Sequence, residues 1–257
     1  MVARGEALIV GMQRRLHPAP SIVVAEKRQD RSDDLVRQHG VEAAPAAEAV
    51  RGAEVVILVV KPQDIRALLA EIGTSVGDGA LVISIAAGIP TALIEESLPN
   101  ARVVRAMPNT PARIERGVTG ISAGASCDAE HLDRARELLT ALGTVVEVPE
   151  SLQDAITSVS GSGPAYVFYL AEAMIAGAIE GGIEPDQARQ IVVATLLGSA
   201  TLLQMSPEPA QVLRANVTSP GGTTAAAIGV FDEHGVKEAI IAGIAAARQR
   251  GRELSAG

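Results

Sequence analysis

The segment at residues 218–224, TSPGGTT, combines the residue types that bind a small anion. Two adjacent glycines leave backbone N–H groups accessible just before a predicted helix that begins at Thr223. Free N–H groups and a partial positive charge at a helix N-terminus favour a carboxylate or a phosphate. A plain turn with a threonine as helix cap would use similar residues. The Ser-Pro-Gly-Gly-Thr-Thr combination favours the anion pocket.

Three further loops follow predicted strands in the first half of the chain: VVKP at 59–62, IAAG at 85–88 and AMPNTP at 106–111. In a parallel sheet the carboxyl ends of the strands meet at one edge, where the backbone of these loops can contact a flat ligand such as a nicotinamide dinucleotide. Each loop alone is also compatible with an ordinary strand-to-helix turn. Three of them at the expected edge indicate a binding function.

The glycine-rich segment SGSGP at 160–164 resembles a phosphate loop only superficially. No strand leads into it and no lysine follows it, as a P-loop requires. It predicts a break after which Pro164 restarts a helix. It is also a candidate lining for a site where the two halves of the chain meet.

Histidine and cysteine offer no catalytic or metal-binding pattern. The four histidines lie in polar segments, and a solvated surface role is predicted for each. The single cysteine lies beside Asp128 at a helix start without a histidine companion, so it is not expected to be a nucleophile. No metal site is expected from these spacings. The residues concerned are His17, His39, His131, His234 and Cys127.

The first half of the chain predicts the α/β domain that positions the strand-end loops. From residue 21 to about 149, short β-branched runs alternate with segments of helical periodicity. This alternation predicts a mostly parallel sheet covered on both faces. The predicted strands are SIVVAE at 21–26, EVVILVVK at 54–61, ALVISIA at 80–86, ARVVRAM at 101–107 and TVVEVP at 144–149; the predicted helices are 29–39, 62–72 and 128–142, with Gly40 and Gly143 as stops.

After Gln153 the sequence predicts helices only, so we expect domains at 1–150 and 151–257. Residues 239–247 are apolar nearly all round, and such a helix must be covered on all sides. About 100 residues of helix can hardly do that alone. The pattern therefore predicts a homodimer formed through this half. The predicted helices are 164–179, 185–204, 209–216, 223–233 and 236–254.

Composition excludes several classes of protein. A formal net charge of −8 provides no basic excess for binding nucleic acid. The longest apolar runs are far shorter than the roughly 20 residues of a membrane helix, and the N-terminus has no signal-peptide cleavage site. One cysteine among 257 residues fits a reducing compartment. A cytoplasmic protein with no membrane partner is expected.

The segments VVKPQDI, SIAAGI, VRAMPNTP, VSGSGPAY and VTSPGGTTAAAI occur in this order along the chain. In type, order and spacing they resemble the pyrroline-5-carboxylate reductase family, and the resemblance covers almost the whole chain. It implies a Rossmann-type N-terminal domain, an all-α C-terminal dimerisation domain and often a ring of dimers. It also implies hydride transfer from NADPH or NADH to the C=N carbon of 1-pyrroline-5-carboxylate, which gives L-proline in the last step of proline biosynthesis.

The resemblance also implies the roles of single residues. Thr224 matches the threonine whose hydroxyl approaches the ring nitrogen of the substrate, and is the expected catalytic residue. The loop that holds the substrate carboxylate comprises Ser219, Gly222, Thr223 and Thr224. The implied cofactor contacts are Gly5, Val59, Val60, Lys61, Pro62, Ile85, Ala86, Ala87, Asn109 and Asn216.

The N-terminal segment departs from the family pattern. GEALIVG at 5–11 resembles the helix that follows the family's glycine-rich turn, with Gly5 in the place of the last glycine. Val2 stands where the second glycine is expected, and the first would lie beyond Met1. We therefore expect the first strand and most of the turn, which supplies the amides for the pyrophosphate, to be missing.

Smaller departures affect the cofactor and the substrate. A family asparagine is replaced by Ala46. After the strand at 21–26, Glu26 suits the ribose 2′-OH of NAD, while Lys27 and Arg28 suit the 2′-phosphate of NADP, so the cofactor preference stays open. The family's acidic residue near the substrate amine has no clear counterpart, and Glu208 is not assigned to the site.

Two other hypotheses stay open at this point. A non-catalytic assembly partner would keep the dimer surface and lack cofactor binding. A β-hydroxyacid-type dehydrogenase would need a catalytic lysine in the helical half, where Lys237 is the only lysine and lies late in the chain.

Overall fold

The computed structural model describes residues 4–256, so the predicted place of Val2 lies outside the described residues. The chain divides into two compact units: Met1–Ser162 together with Ala247–Gly257, and Gly163–Ala246. The elements before residue 162 are α1 (Arg4–Arg15), β1 (Val23–Val24), α2 (Gln29–His39), β2 (Glu42–Ala43), α3 (Ala46–Ala49), β3 (Val55–Leu58), α4 (Ile65–Ile72), β4 (Leu81–Ser84), α5 (Thr91–Ser97), β5 (Arg102–Pro108), β6 (Gly117–Ala123), α6 (Ala129–Thr140), β7 (Gly143–Glu147) and α7 (Gln153–Ile156).

The strands form two sheets. The larger sheet has the order β3-β4-β5-β6-β7; β3, β4 and β5 are parallel, while β6 is antiparallel to β5 and parallel to β7. The smaller sheet is the parallel pair β1-β2. The gap in pairing falls between β1 and β3, where the doubly wound strand order has its first strand. Within the described residues, α1 is the first element, as predicted for GEALIVG.

Helices cover both faces of the larger sheet, as predicted. On one face, α1 and α6 pack on Leu81, Ile83 and Ile121. On the other, α4 and α5 pack on Val82 and Val103. These strand residues are almost completely buried, which explains their continuous apolar sequence.

Helix ends follow the local sequence signals. Helix α2 ends at Gly40, whose φ of 65° is the left-handed conformation that glycine adopts without a Cβ clash. Helix α6 is capped by Asp128, whose carboxylate accepts a hydrogen bond from the His131 N–H. Both helices begin and end within two residues of their predicted limits.

Strand β6 was not predicted. Its sequence, GVTGISA, contains two glycines and lacks a continuous β-branched run. Gly120 is required by packing, because a Cβ there would lie 2.7 Å from the Ile156 side chain. A glycine selected for close approach weakens the sequence signal of the strand that contains it.

The second unit is helical, as predicted. It is built from α8 (Gly163–Glu180), α9 (Pro185–Met205), α10 (Ala210–Asn216), α11 (Thr223–Glu233) and the first part of α12 (Val236–Ala256). Large apolar side chains lie exposed along its helices, among them Phe168, Tyr169, Leu197, Met205, Ile240 and Ile241. Among the helices of residues 4–256, none combines the length and the apolar composition that a membrane crossing requires.

Candidate functional site

The parallel strands of the first unit bring the predicted cofactor loops to one edge of the larger sheet. Leu58 at the end of β3 pairs with Ser84 at the end of β4, and β5 continues the parallel order. The VVKP and IAAG loops therefore start side by side, with AMPNTP on the next strand. The predicted grouping of the three loops is present.

Gly5 lies beside the first of these loops. A Cβ built on Gly5 would lie 3.4 Å from Val59 Cγ1, so the first turn of α1 and the end of β3 are in van der Waals range. The N-terminus of α1 thus lies at the same edge, where its free N–H groups suit an anion. Two of the predicted cofactor residues are neighbours.

The first two residues of the IAAG loop pack into the core, and their N–H groups bond within the fold. Ile85 packs into the core beneath α1 and α6, whereas Ala86 packs into the core beneath α4 and α5. Both are 2% exposed. The Ile85 N–H donates to the Leu58 carbonyl at 3.0 Å, and the Ala86 N–H to Ser84 Oγ at 3.4 Å. Gly88, with φ of 75°, takes the left-handed conformation that glycine adopts readily.

The VVKP loop is more open. Val59 and Lys61 are exposed, whereas Val60 packs against the core of α4 and α5. Pro62 begins a short 3₁₀ turn, Pro62–Asp64, that leads into α4. This loop therefore presents a lysine and an apolar side chain to solvent at the edge.

Asn109 uses its side chain inside the fold. The Val118 N–H donates to Asn109 Oδ1 at 2.9 Å, and Asn109 Nδ2 donates to the Ser160 carbonyl at 3.2 Å. The side chain therefore joins the end of β5, the start of β6 and the SGSGP segment. Sequence reasoning did not anticipate these partners, because they lie 9 and 51 positions away.

The SGSGP segment contains the predicted break: the preceding helical turn ends at Gly161, Ser162 is a bend, and α8 begins at Gly163 with Pro164 in its first turn. Residues Thr157–Gly161 continue α7 as a π-helical turn, in which the Ser162 N–H donates to the Thr157 carbonyl at 2.9 Å. π-helical turns are rare and concentrate at functional sites. A Cβ on Gly161 would lie 3.3 Å from Met107 Cε, so the glycine permits close contact with the AMPNTP strand.

The TSPGGTT loop of the second unit has the geometry of an open helix N-terminus. Gly222 is the N-cap of α11 without a side-chain cap, and its N–H donates to the Ser219 carbonyl at 3.0 Å. Among the described residues, the hydroxyls of Thr223 and Thr224 have no hydrogen-bond partner. Gly221, with φ of 71°, takes the left-handed conformation that this turn needs.

Asn216 is the last residue of α10 and is exposed in the second unit. It lies seven positions before Thr223, at the other end of the short connection between α10 and α11. The structure places Asn216, Ser219, Gly222, Thr223 and Thr224 in the second unit, and the other predicted cofactor residues in the first.

The prediction of a solvated surface role is wrong for His39. Its Nε2 lies 3.1 Å from Glu6 Oε1, its ring is largely buried, and Arg31 pairs with the other oxygen of Glu6. These partners lie 25 and 33 positions apart in sequence, so no local pattern could reveal them. Glu6, Arg31 and His39 therefore form a largely buried hydrogen-bonded cluster that sequence reasoning missed.

Cys127 is not an activated thiol. Burial raises the pKa of the Cys127 thiol, and its Sγ donates to the Val103 carbonyl at 3.1 Å. A thiol that remains protonated is a poor nucleophile.

The loop after β1 contains the residues predicted to choose between NAD and NADP. The Glu26 carboxylate is partly used within this loop, because the Arg28 N–H donates to Glu26 Oε1 at 3.0 Å, while Lys27 is exposed.

The edge formed by parallel strands, the N-terminus of α1 and three backbone-rich loops defines a Rossmann-type site for a nicotinamide dinucleotide. The residues present fit that group, because the N-terminus of α1 at Gly5 lies beside the exposed loop at Val59 and its first N–H groups suit a pyrophosphate. The fold class predicted from the sequence, a Rossmann-type domain plus an all-α domain, is confirmed.

Comparison with known proteins identifies the family. Residues 150–254 match the family model for pyrroline-5-carboxylate reductase dimerisation, and residues 3–88 match that for NADP oxidoreductase, coenzyme F420-dependent. A pyrroline-5-carboxylate reductase of Synechocystis is 39% identical, with 97% of this chain and 94% of the relative covered. One of Mycobacterium tuberculosis is 36% identical, with 97% and 93% covered.

Solved structures agree. A pyrroline-5-carboxylate reductase of Coxiella burnetii superimposes with a TM-score of 0.92 at 34% identity, covering 97% of this chain and 94% of that one. The Plasmodium falciparum enzyme, solved with NADP bound, shares the fold with a TM-score of 0.86 at 23% identity, over 98% and 94%. The chain belongs to the pyrroline-5-carboxylate reductase family. The predicted NAD(P)H-dependent reductase of proline synthesis is thereby confirmed at the level of the family.

Proposed function

We propose that this chain reduces the C=N bond of 1-pyrroline-5-carboxylate to give L-proline, with Thr224 at the reacting ring. The N-terminus of α11 supports this assignment of residues most strongly. Gly222 is the N-cap of the helix without a side-chain cap, and among the described residues two threonine hydroxyls have no hydrogen-bond partner. Bound NAD(P)H supplies the hydride. The remaining task of the protein is to bind, orient and exclude water.

The substrate carboxylate is assigned to the loop before α11. The first N–H groups of a helix have no partners within the helix and carry a partial positive charge. In α11 they belong to Thr223, Thr224 and the next residue, because the Ala226 N–H already donates to the Gly222 carbonyl at 3.1 Å. Ser219 lies across the turn from Gly222, with its hydroxyl oxygen 2.5 Å from the position of a Cβ on that glycine.

Thr224 is assigned to the ring nitrogen. Its side chain is half-buried, whereas Thr223 is exposed, so the two hydroxyls differ in their access to solvent. A hydroxyl both donates and accepts, and can therefore follow the nitrogen as it changes from imine to amine. A hydrogen bond that strengthens as the hydride arrives lowers the barrier of that step.

The cofactor is assigned to the sheet edge of the first unit. Val59, Val60, Lys61 and Pro62 provide one wall, and the backbone of Ile85, Ala86 and Ala87 provides the floor. Gly5 places the N–H groups of α1 where a pyrophosphate is bound in this fold. Asn109 completes the proposed set in this unit, where its amide acts mainly by holding the loop that follows β5, given its two internal bonds. Asn216, in the second unit, is proposed as a cofactor contact from the family resemblance alone. Residues 1–150 thus form the proposed cofactor domain and residues 151–257 the proposed substrate and dimerisation domain.

We assign the exposed apolar faces of the second unit to a homodimer, and a ring of such dimers to the complete assembly in the cytoplasm. Ile240 and Ile241 are more than half exposed in the single chain. Native mass spectrometry is expected to give an even number of subunits, and Ile241→Asp to shift the distribution towards monomers. A wild-type monomer, or an assembly with an odd number of subunits, would exclude this assembly.

The function is tested with the purified wild-type chain, 1-pyrroline-5-carboxylate and either NADPH or NADH. Oxidation of the cofactor at 340 nm and formation of L-proline by chromatography are expected in equal amounts. Comparison of the two cofactors decides between the Glu26 and the Lys27–Arg28 hypotheses. A protein that forms stable dimers but binds neither cofactor would instead support the non-catalytic assembly partner. Turnover of a 3-hydroxy acid without turnover of pyrroline-5-carboxylate would support the β-hydroxyacid-type dehydrogenase.

A further inference from the structure

The seam between α1 and α2 contains a carboxylate that is more buried than its chemistry favours. Glu6, in the first turn of α1, is 8% exposed. Its Oε2 pairs with Arg31 and its Oε1 lies 3.1 Å from His39 Nε2. Removing a charge from water is unfavourable unless partners compensate it, and both oxygens of Glu6 have such partners.

The seam has polar ends around an apolar centre. Ile9 of α1 packs on Leu35 of α2 and on Val41. At the far end, Gln13 Nε2 donates to the His39 carbonyl at 2.8 Å. Apolar contacts are not directional and tolerate sliding, whereas hydrogen bonds fix position. The bonds of Glu6 at one end and of Gln13 at the other therefore set the axial position of α1 against α2.

Arg31, Leu35 and His39 follow one another at intervals of four along α2, so they form one stripe on a single helix face. The Glu6 carboxylate thus bonds to both ends of this stripe, and both of its oxygens are used. Burial alone would raise the pKa of Glu6, but the hydrogen bonds and charges of Arg31 and His39 outweigh it and hold that pKa below its ordinary value. The carboxylate is therefore ionised at neutral pH.

The position of α1 matters because of its neighbour at the strand edge. A Cβ built on Gly5, directly before Glu6, would lie 3.4 Å from Val59 Cγ1, so the first turn of α1 passes close to Val59. A shift of α1 along its axis would move its first N–H groups relative to that edge. Misplacement of the reacting groups by about 1 Å can lower the rate of a reaction about 100-fold when that reaction depends on alignment. An unneutralised carboxylate in this turn would also repel phosphate groups, and Arg31 compensates its charge.

We propose that Glu6 is a positioning residue of the cofactor site: through its bonds to Arg31 and His39 it holds the first turn of α1 in the place where the dinucleotide phosphates bind. The proposal rests on the proposed function. Glu6 does not contact the reacting atoms, so it acts on cofactor affinity and leaves the substrate loop of α11 unchanged.

The same helix provides a matched control. Glu115 binds the other end of α1, with Oε1 2.6 Å from Arg14 Nη1 and Oε2 2.7 Å from Arg15 Nη2. Each of the two carboxylates therefore joins two basic side chains, and each ties α1 to another segment. Only Glu6 lies at the end next to Val59. A general loosening of α1 would affect both variants alike.

The test measures the Kd of NADPH by calorimetry in wild type, Glu6→Ala, Glu6→Gln and Glu115→Ala. Glu6→Ala is expected to raise the Kd at least about 10-fold, with the KM of pyrroline-5-carboxylate at saturating NADPH changed by less than about twofold. Glu6→Gln keeps the shape of the side chain and part of its hydrogen bonding. This variant therefore controls for misfolding of Glu6→Ala, and it is expected to give an intermediate Kd. Glu115→Ala is expected to bind NADPH within about twofold of wild type.

An unchanged Kd in Glu6→Ala, or an equal rise in Glu115→Ala, would overturn the proposal. A wild-type chain that binds neither NADPH nor NADH would overturn the proposed function instead. In that case amide hydrogen exchange of residues 6–9 decides the positioning role without the cofactor. Exchange accelerated by Glu6→Ala and not by Glu115→Ala supports it, and equal rates in the two variants contradict it.

Discussion

The strand edge of the first unit and the TSPGGTT loop of the second use their polar groups in opposite ways. At the edge, Asn109 uses both ends of its amide within the fold, and Ile85 lies in the core. In the loop, Thr223 and Thr224 keep hydroxyls that are unpartnered among the described residues. The edge is therefore a shaped backbone surface, whereas the loop supplies free donors.

This difference separates two kinds of functional residue. A polar side chain that bonds within the fold maintains a shape, and its removal reduces the free energy of unfolding. A polar side chain without an internal partner contributes little to stability, and its removal reduces binding or catalysis. Substitutions in the two regions should therefore separate stability from activity.

The largest effect is expected at Thr224. Thr224→Ala should lower kcat/KM for pyrroline-5-carboxylate roughly 10–100-fold, or about 1–3 kcal/mol, because a hydrogen bond to the ring nitrogen is lost. Its melting temperature should stay at the wild-type value. Thr195→Ala is the control, since Thr195 bonds only to the Ile191 carbonyl on an exposed helix. Wild-type kinetics in Thr224→Ala would remove the residue from the mechanism.

Asn109 should show the opposite behaviour. Asn109→Ala breaks the bonds to the Val118 N–H and the Ser160 carbonyl, and should lower the free energy of unfolding by about 2 kcal/mol. Urea denaturation provides the measurement. Asn100→Ala, which breaks one exposed hydrogen bond to Asp78, should change the free energy of unfolding far less. An Asn109→Ala variant of full stability but weak cofactor binding would make Asn109 a direct ligand.

Packing around the edge can be probed at Gly11 of α1. A Cβ there would lie 2.8 Å from the Ala141 carbonyl oxygen, which is backbone and cannot rotate away. Gly11→Ala should destabilise the chain by about 1–2 kcal/mol in urea denaturation. Gly77→Ala, at a position with open space around the Cβ, serves as the control. Equal stabilities of Gly11→Ala and wild type would show that α1 can shift away from the Ala141 carbonyl without loss of stability.

The smallest effect is a pH dependence at Glu115. The hydrogen bond from Arg15, together with that from Arg14, lowers the pKa of this carboxyl. The pair therefore stabilises the fold above the ordinary glutamate pKa, and this contribution is lost as the pH falls through the lowered value. The free energies of unfolding of wild type and Glu115→Gln should differ at pH 7 and become equal in acid. A difference that persists at low pH would exclude the ion pair as its source.

Much of the fold was predictable because local signals determine it. The limits of α2 follow from Gly40 and those of α11 from the glycine pair before Thr223, and the structure has both helices at the predicted residues. The parallel strands follow from continuous aliphatic runs that two helical layers cover. The family follows from five segments in order.

The remainder depends on contacts that sequence spacing does not reveal. Strand β6 contains two glycines because Ile156 packs against Gly120 and Ala112 against Gly117. His39 is buried by a carboxylate 33 positions away, and Asn109 bonds to a carbonyl 51 positions away. The break within SGSGP was predictable, but the π-helical turn that precedes it, Thr157–Gly161, has no signature in a short sequence pattern.

Transfer of deuterium is the most direct test of the central claim that this chain reduces the imine. The purified protein is incubated with 1-pyrroline-5-carboxylate and NADPH that carries deuterium at the transferable position of the nicotinamide. Mass spectrometry should find L-proline one mass unit heavier, with the deuterium on the former C=N carbon, and Thr224→Ala should form it more slowly. Unlabelled proline, or no proline at all, would contradict the account.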